Sequence, residues 1–218
     1  MSDVSEGEHA DFTAVLGEKL GAVREISFSS IGPSVGRELR GQSLKAVVAV
    51  IVGISIYVAW AFRKVSEPVK SWKYGLIVLL TLFHDISIPI GLLAILGSLK
   101  GIEIDTNFIV ALLVVMGFSV HDTIVIFDRI RENLMTMGKK VPFASVVDAS
   151  IRETIARSVN TSFTVLLVLI AIYFLGGETT RHFSLALIIG IAAGTYSSIF
   201  LASPLLVVWG KYSQRKQR

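Results

Sequence analysis

Two aspartates interrupt long apolar stretches of this sequence, and each directly follows a histidine. They are Asp85, after His84, and Asp122, after His121. An ionised carboxylate at the centre of a membrane-spanning helix costs about 2.5–3.5 kcal/mol of insertion free energy, so such a group usually faces a bundle interior or a wet cavity and has a function. The chemistry available to it is the binding and release of a proton.

Asp122 has polar neighbours at helical spacing. Ser119, Thr123 and Ile126 share its face if the stretch is helical. The two hydroxyls could hold water beside the carboxyl group, which favours a proton-binding site, whereas hydrogen bonding that only joins helices is the alternative. We interpret Asp122 as a proton-coupling residue, with Ser119, His121 and Thr123 as supporting polar residues.

A positive charge opens another apolar stretch and is the natural partner for Asp122. Arg157 is followed at i+3, i+4 and i+7 by Asn160, Thr161 and Thr164. A polar stripe on an otherwise apolar helix is expected to face protein or water. The alternative is that Arg157 only anchors the helix at the membrane interface.

Asp85 could be a second proton-coupling residue or a structural group at a helix kink. Pro89 lacks the amide that would bond to the carbonyl of Asp85, four residues back. The two histidines could titrate near neutral pH. With the two aspartates they also suggest a metal site, but neighbouring residues point to different helix faces and no HExxH spacing occurs. We predict no bound metal and no cofactor.

Composition places these groups in a membrane protein. Of the 218 residues, 52% are hydrophobic and 17% are charged, whereas ordinary soluble domains carry roughly 25% charged residues. Crossing a hydrocarbon core takes about 20 helical residues, and five apolar stretches are of this order: 44–62, 74–99, 107–127, 159–175 and 183–209. The predicted fold class is an all-α polytopic membrane protein, with a five-helix transmembrane bundle over residues 44–210.

The distribution of basic residues predicts the orientation. Segments 63–73 and 128–158 and the basic tail 211–218 together hold fourteen Lys and Arg, whereas segments 100–106 and 176–182 hold two. By the positive-inside rule the first group is cytoplasmic and the N-terminal segment is extracytoplasmic. Since the net charge of +4 lies in these loops, we predict no nucleic-acid partner.

Residues 1–43 differ in kind from the bundle. Phe12–Leu20 could form a short helix, and the alternation of Val23, Ile26 and Phe28 predicts a strand. About 40 residues make a poor independent domain. We therefore interpret them as a short α+β remnant of an extracytoplasmic domain, and expect that the chain lacks a first transmembrane helix.

Three further patterns bear on packing and function. Gly190, Gly194 and Ser198 recur every four residues, which is typical of close helix packing. Residues 127–133 predict a helical extension with solvated charges, and residues 143–156 predict an amphipathic helix on the inner membrane surface.

No nucleotide-binding loop or nucleophile motif occurs. We therefore predict a protein that is not an enzyme and draws energy from an ion gradient or another subunit.

The stretch from Gly117 to Asn133 closely resembles the signature of the SecF branch of the SecD/SecF protein-export family. It reads GFSVHDTIVIFDRIREN. Ile31–Leu39, Arg157–Ser162 and Phe174–Gly177 also resemble that family, and the similarity covers about residues 27–209.

The resemblance implies a membrane fold of the resistance-nodulation-division type, with helices two to six of a six-helix unit present here. It implies a subunit of the Sec translocase in a bacterial-type inner membrane. There the proton motive force would assist export of an unfolded preprotein, with a SecD-like subunit and the SecYEG channel as partners. The intramembrane Asp and Arg of the family map onto Asp122 and Arg157. His121 stands where the family usually has Asn, which leaves H⁺ and Na⁺ both open as the coupling ion.

Other functions remain as alternatives. A passive assembly subunit would use the same polar residues only to bind neighbouring helices. An ion-coupled small-molecule transporter of the same superfamily is disfavoured because five helices show no inverted repeat. An intramembrane aspartyl protease using Asp85 and Asp122 is disfavoured because Gly117 lies five residues before Asp122, so a GxGD context is absent.

Overall fold

The computed structural model describes residues 6–21, 33–62, 69–100, 106–137 and 141–215. Nearly all of these residues are helical, and no strand occurs among them, so the predicted all-α fold class is confirmed. The strand expected at Val23–Ser29 lies outside the described residues. The elements are α1 (Glu6–Leu20), α2 (Pro33–Ala61), α3 (Ser71–Lys100), α4 (Thr106–Met137), α5 (Phe143–Leu175), α6 (Glu178–Ser197), a π-helical turn (Ser198–Ala202) and α7 (Ser203–Arg215).

The chain divides into two units, Met1–Ala46 and Val47–Arg218. In the first unit, α1 contains the short helix expected at Phe12–Leu20 and begins earlier, at Glu6. Gly21 closes α1 with φ 83° and donates its amide to the carbonyl of Gly17 at 3.2 Å. Glycine adopts this left-handed conformation without a steric penalty, so it is well suited to end the helix.

Five helical segments of the described chain are long and apolar enough to cross a membrane, as the sequence predicts. They are Gly41–Val58, Ser71–Leu99, Asn107–Met137, Phe143–Leu175 and Thr180–Tyr212. Large apolar side chains such as Phe83, Phe163 and Val168 are exposed on the outside of the helices, which suits contact with lipid. The chain is a multi-pass membrane protein.

The segment 143–156 is helical, as predicted, but the expected placement of this helix on the membrane surface is wrong. This segment is the N-terminal part of α5, which continues without a break to Leu175. Its apolar side chains are used inside the protein: Phe143 and Val147 are buried in one core cluster with Phe127 of α4 and Leu206 of α7. The apolar side chains of this segment therefore pack against α4 and α7 and not against the membrane surface.

The last predicted span, 183–209, is not one regular helix. It comprises most of α6, the π-helical turn and the first part of α7. The hydroxyl of Ser203 donates to the carbonyl of Ser198, five residues back, at 3.0 Å. Such π-helical turns often mark functional sites, and this one directly follows Ser197, a residue of the polar centre described below.

Two apolar clusters fill the bundle. The first includes Phe62, Tyr74 and Phe127, in which the Phe62 and Tyr74 rings stack at 5.2 Å and Phe127 meets both edge-on. It lies toward the end of the bundle where α2 and α4 end and α3 and α5 begin, which we call the basic end. The second cluster, around Phe108 and Leu187, lies toward the opposite end. Polar residues occupy the level between them.

Candidate functional site in the polar centre of the bundle

Buried polar side chains gather at mid-length of α3, α4 and α5 and at the C-terminal end of α6. Each is 3% exposed or less, and the set comprises Asp85, Ser119, Asp122, Thr123, Ser158, Ser162 and Ser197. Burying a polar group is unfavourable unless it finds hydrogen-bond partners. We call this set, together with the half-buried Thr195, the polar centre.

Asp85 is completely buried and joins three helices. Its Oδ2 accepts hydrogen bonds from the hydroxyls of Ser119 in α4 and Ser197 in α6, the latter at 2.7 Å. Its Oδ1 lies 2.9 Å from Nδ1 of His84. Both carboxylate oxygens therefore have partners, and α3 continues as one helix through Pro89.

Asp122 is 2% exposed and lies in a different environment. Its carboxyl group is close to the hydroxyls of Ser158 and Ser162 in α5 and of Thr195 in α6. Ser162 and Thr195 are also hydrogen-bonded to each other at 2.6 Å. Within the described part of the chain, Oδ2 of Asp122 has no hydrogen-bond partner. Asp122 is thus surrounded by hydroxyls but incompletely satisfied by them.

Of the residues expected to support Asp122, Ser119 and Thr123 lie inside the bundle and His121 lies on its outside. Ser119 bonds to Asp85 instead, and Thr123 donates to the carbonyl of Ser119 at 3.2 Å. His121 is exposed on the outside of α4. Among the described residues no group of three or more His, Cys, Asp or Glu side chains could hold a metal ion.

The polar stripe predicted from Arg157 faces outward. Arg157, Asn160, Thr161 and Thr164 are all exposed in this chain, and no salt bridge joins Asp122 to Arg157 among the described residues. The hydroxyls of Thr161 and Thr164 donate to carbonyls of α5 itself, at 2.9 and 2.8 Å.

The inner face of α5 carries hydroxyls that the sequence analysis missed. Ser158 and Ser162 lie beside Asp122, and Ser150 and Thr154 continue their face toward the basic end. Their spacing of four residues was the signal that could have found them. Thr195 and Ser197 of α6 were also missed, although both lie in the stretch of small residues around Gly194.

Close packing of α6 on α4 brings the α6 hydroxyls to the two carboxyl groups. A Cβ atom at Gly194 would lie 2.9 Å from Cβ of Ser119, and one at Gly190 would collide with Val115. Ser198 is also buried, and its hydroxyl donates to the carbonyl of Thr195 at 3.0 Å. Only glycine fits at the first two positions without displacing α4.

A second polar network joins α4 to α5 at the basic end. Arg129 forms a salt bridge with Glu153 and another, of 2.6 Å, with Glu132. The Asn133 amide donates to Ser150 at 3.0 Å and to Glu153 at 2.9 Å, and Asn133 is 5% exposed. The helical extension predicted at 127–133 is confirmed as part of α4, and its partly exposed Arg129 is paired with Glu132 and Glu153 because α5 begins beside it.

Comparisons with known proteins agree with the sequence motif. Residues 12–212 match the family model described as "Protein export membrane protein SecD/SecF, C-terminal". The protein translocase subunit SecF of Thermobaculum terrenum is 51% identical over 203 residues, 93% of this chain and 62% of that protein. The protein translocase subunit SecDF of Thermus thermophilus is 40% identical over 184 residues, 84% of this chain and 23% of that protein.

A solved structure is also similar. The crystal structure of SecDF in super-membrane-facing form matches with a TM-score of 0.71 and 34% identity, over 98% of this chain and 27% of the other. The chain belongs to the SecD/SecF family of protein-export membrane proteins. The predicted resemblance to SecF is confirmed, and the chain spans about three-fifths of the SecF relative from Thermobaculum terrenum.

Proposed function

We propose that this chain is the membrane part of a Sec translocase subunit that uses the proton motive force to assist preprotein export. Family membership supports the translocase assignment. The observation that carries the coupling role is Asp122, a buried carboxyl group among three hydroxyls with one oxygen unpartnered. Ionisable groups inside a membrane bundle commonly belong to ion or proton pathways.

In this proposal Asp122 takes up a proton from the extracytoplasmic side and releases it toward the basic end. The basic end is cytoplasmic by the positive-inside rule, as is the C-terminus. One charge crossing the membrane gains about 2.3 kcal/mol per 100 mV, which is enough to shift a helix-packing equilibrium more than tenfold. The coupling ion could also be Na⁺, and no cofactor other than the gradient is required.

Arg157 is the proposed counter-charge, acting from the outer face of α5. It precedes Ser158, which lies beside Asp122, so a change of side-chain conformation could alter its distance from the carboxylate. Deprotonation of Asp122 would strengthen its attraction for Arg157 and draw α4 and α5 into a different arrangement. Asp85 could be a second titrating group, but its two satisfied oxygens favour a role in holding α3, α4 and α6 together.

The outer polar stripe of α5 is the proposed docking face for a SecD-like subunit. Within the described chain the side chains of Arg157 and Asn160 have no partner, and lipid tails cannot provide one. A neighbouring transmembrane helix with polar groups would satisfy Asn160, and would satisfy Arg157 in the state in which Asp122 is protonated. The SecYEG channel and the unfolded preprotein are the further partners that this function requires.

The test is export of a preprotein into membrane vesicles that contain the full-length subunit with its SecD partner and the channel. Asp122→Asn removes the titrating group and keeps the size, so we expect a normal complex that has lost the part of export that depends on the proton motive force. Asp148→Asn, at an exposed position of α5, is the control. If Asp122→Asn exports like the wild type, the coupling role is wrong and a passive assembly function takes its place.

A further inference from the structure

Four buried hydroxyl residues form a column on the inner face of α5. They are Ser150, Thr154, Ser158 and Ser162, exposed by 0%, 6%, 2% and 3%. Residues four apart lie one above the other on a helix. At 1.5 Å per residue the column is about 18 Å long, which is more than half of a ~30 Å hydrocarbon core.

Each end of the column meets a carboxyl group. At the polar centre, Ser158 and Ser162 lie beside Asp122. At the basic end, the Asn133 amide donates both to Ser150, at 3.0 Å, and to the exposed Glu153, at 2.9 Å. The column therefore runs from a buried carboxyl group in mid-membrane to the exposed end of the bundle, where Arg129 and Asn133 hold the carboxylate of Glu153.

Two buried polar atoms, one in this column and one beside it, lack a hydrogen-bond partner within the described chain, which indicates a buried water molecule. Oδ2 of Asp122 and Oγ of Ser158 are both buried and, among the described residues, have no hydrogen-bond partner. Two such atoms are ordinarily satisfied by a buried water that bridges them. The Thr154 hydroxyl donates to the carbonyl of Ser150 at 2.8 Å, so its oxygen can still accept a hydrogen bond from water.

We propose that this column is the path by which protons leave Asp122 toward the basic end, with Ser158 as the first relay and the water outside Ser150 as the exit. The proposal rests on the proposed function, in which Asp122 carries the proton. In one transfer the O–H bond of protonated Asp122 breaks and a bridging water takes the proton. That water passes one of its own protons along the column, and external water at the basic end accepts one, which leaves Asp122 as a carboxylate.

The simpler alternative is that these residues are small so that α5 can pack closely on α4 and α6. The two explanations differ for substitutions that remove a hydroxyl and keep the size. Under close packing, Ser158→Ala and Thr154→Val are harmless. Under proton conduction, each interrupts the path.

The experiment measures proton flux into vesicles that contain the full-length subunit with its SecD partner and a trapped pH-sensitive dye. The column variants are Ser158→Ala and Thr154→Val. Their matched controls are Ser87→Ala and Thr136→Val, which remove exposed hydroxyls that bond to carbonyls of their own helices at 2.7 and 3.0 Å. Flux is expressed per folded complex, measured by size-exclusion chromatography.

We expect each column variant to conduct at least about threefold more slowly than its control, the effect of losing one hydrogen bond of ordinary strength. Ser158→Thr, which keeps the hydroxyl, should conduct faster than Ser158→Ala. A smaller decrease than threefold in both column variants overturns the proposal. Asp122→Asn distinguishes failure of the proposed path from failure of the proposed function. If Asp122→Asn stops the flux and the column variants do not, only the path is wrong. If Asp122→Asn conducts like the wild type, the proposed function itself is wrong.

Discussion

Ser197 of α6 donates a 2.7 Å hydrogen bond to Asp85 of α3, across 112 residues of sequence. The same carboxylate oxygen accepts the hydroxyl of Ser119 in α4. Asp85 therefore joins three membrane-spanning helices at one point, whereas the nearby Asp122 keeps an oxygen without a partner. The two carboxyl groups thus differ in how completely they are hydrogen-bonded, which supports the proposal that Asp85 holds helices together and Asp122 exchanges a proton.

Removing the Asp85 carboxylate should destabilise the bundle. Asp85→Ala leaves the buried hydroxyl of Ser119 without its acceptor and that of Ser197 with only the carbonyl of Gly194. An unsatisfied buried group costs about 1–3 kcal/mol. We expect a clear fall in the midpoint of thermal unfolding of the purified complex in detergent. Asp148→Ala, at an exposed position paired only with Arg152, is the control. Equal midpoints for the two variants would show that the Asp85 contacts contribute nothing.

Adding a single methyl group at Gly194 should separate α6 from α4. In Gly194→Ala the new Cβ would lie 2.9 Å from Cβ and 3.2 Å from Cα of Ser119, so one helix must move. Overpacking of this kind costs about 1–3 kcal/mol. The matched control is Gly117→Ala, whose Cβ would meet nothing within 4 Å. Thermal unfolding should distinguish the two, and a Gly194→Ala variant as stable as Gly117→Ala would contradict the described helix contact.

The network at the basic end should hold the start of α5 against α4. Asn133→Ala removes two hydrogen bonds, to Ser150 and to Glu153, each of which contributes about 1 kcal/mol. We expect faster hydrogen exchange in residues 143–156 than in the wild type. Thr136→Ala, on the exposed side of the same helix, should leave exchange unchanged. Unaltered exchange in Asn133→Ala would mean that apolar packing alone fixes this helix end.

Much of the fold could be predicted because a membrane imposes a simple rule. Apolar length identifies a spanning helix, and four of the five predicted stretches lie within such helices, whereas the first, 44–62, extends beyond its span, Gly41–Val58. The ends of α4 and α5 could not be predicted in the same way. Beyond the apolar stretch, helix continuation depends on tertiary packing, here of Phe143 and Val147 against Phe127 and Leu206.

The polar centre could be predicted only in part. Asp85 and Asp122 stand out because a carboxylate in an apolar stretch is rare. The hydroxyls around them are inconspicuous, since serine and threonine are tolerated on any face of a membrane helix. On α5, Arg157 drew attention to the outer stripe, while the inner stripe of Ser158 and Ser162 carries the contacts with Asp122. Polarity alone could not say which of two stripes turns inward.

The most direct test of the central claim is infrared difference spectroscopy of the full-length subunit in its complex, recorded as the pH is changed. A protonated carboxyl group buried in the membrane gives its own carbonyl band. We predict a band that disappears as the pH is raised, is absent in Asp122→Asn and is retained in Asp148→Asn. A band that persists in Asp122→Asn, or none in the wild type at any pH at which the complex is folded, would contradict the claim that Asp122 carries the proton.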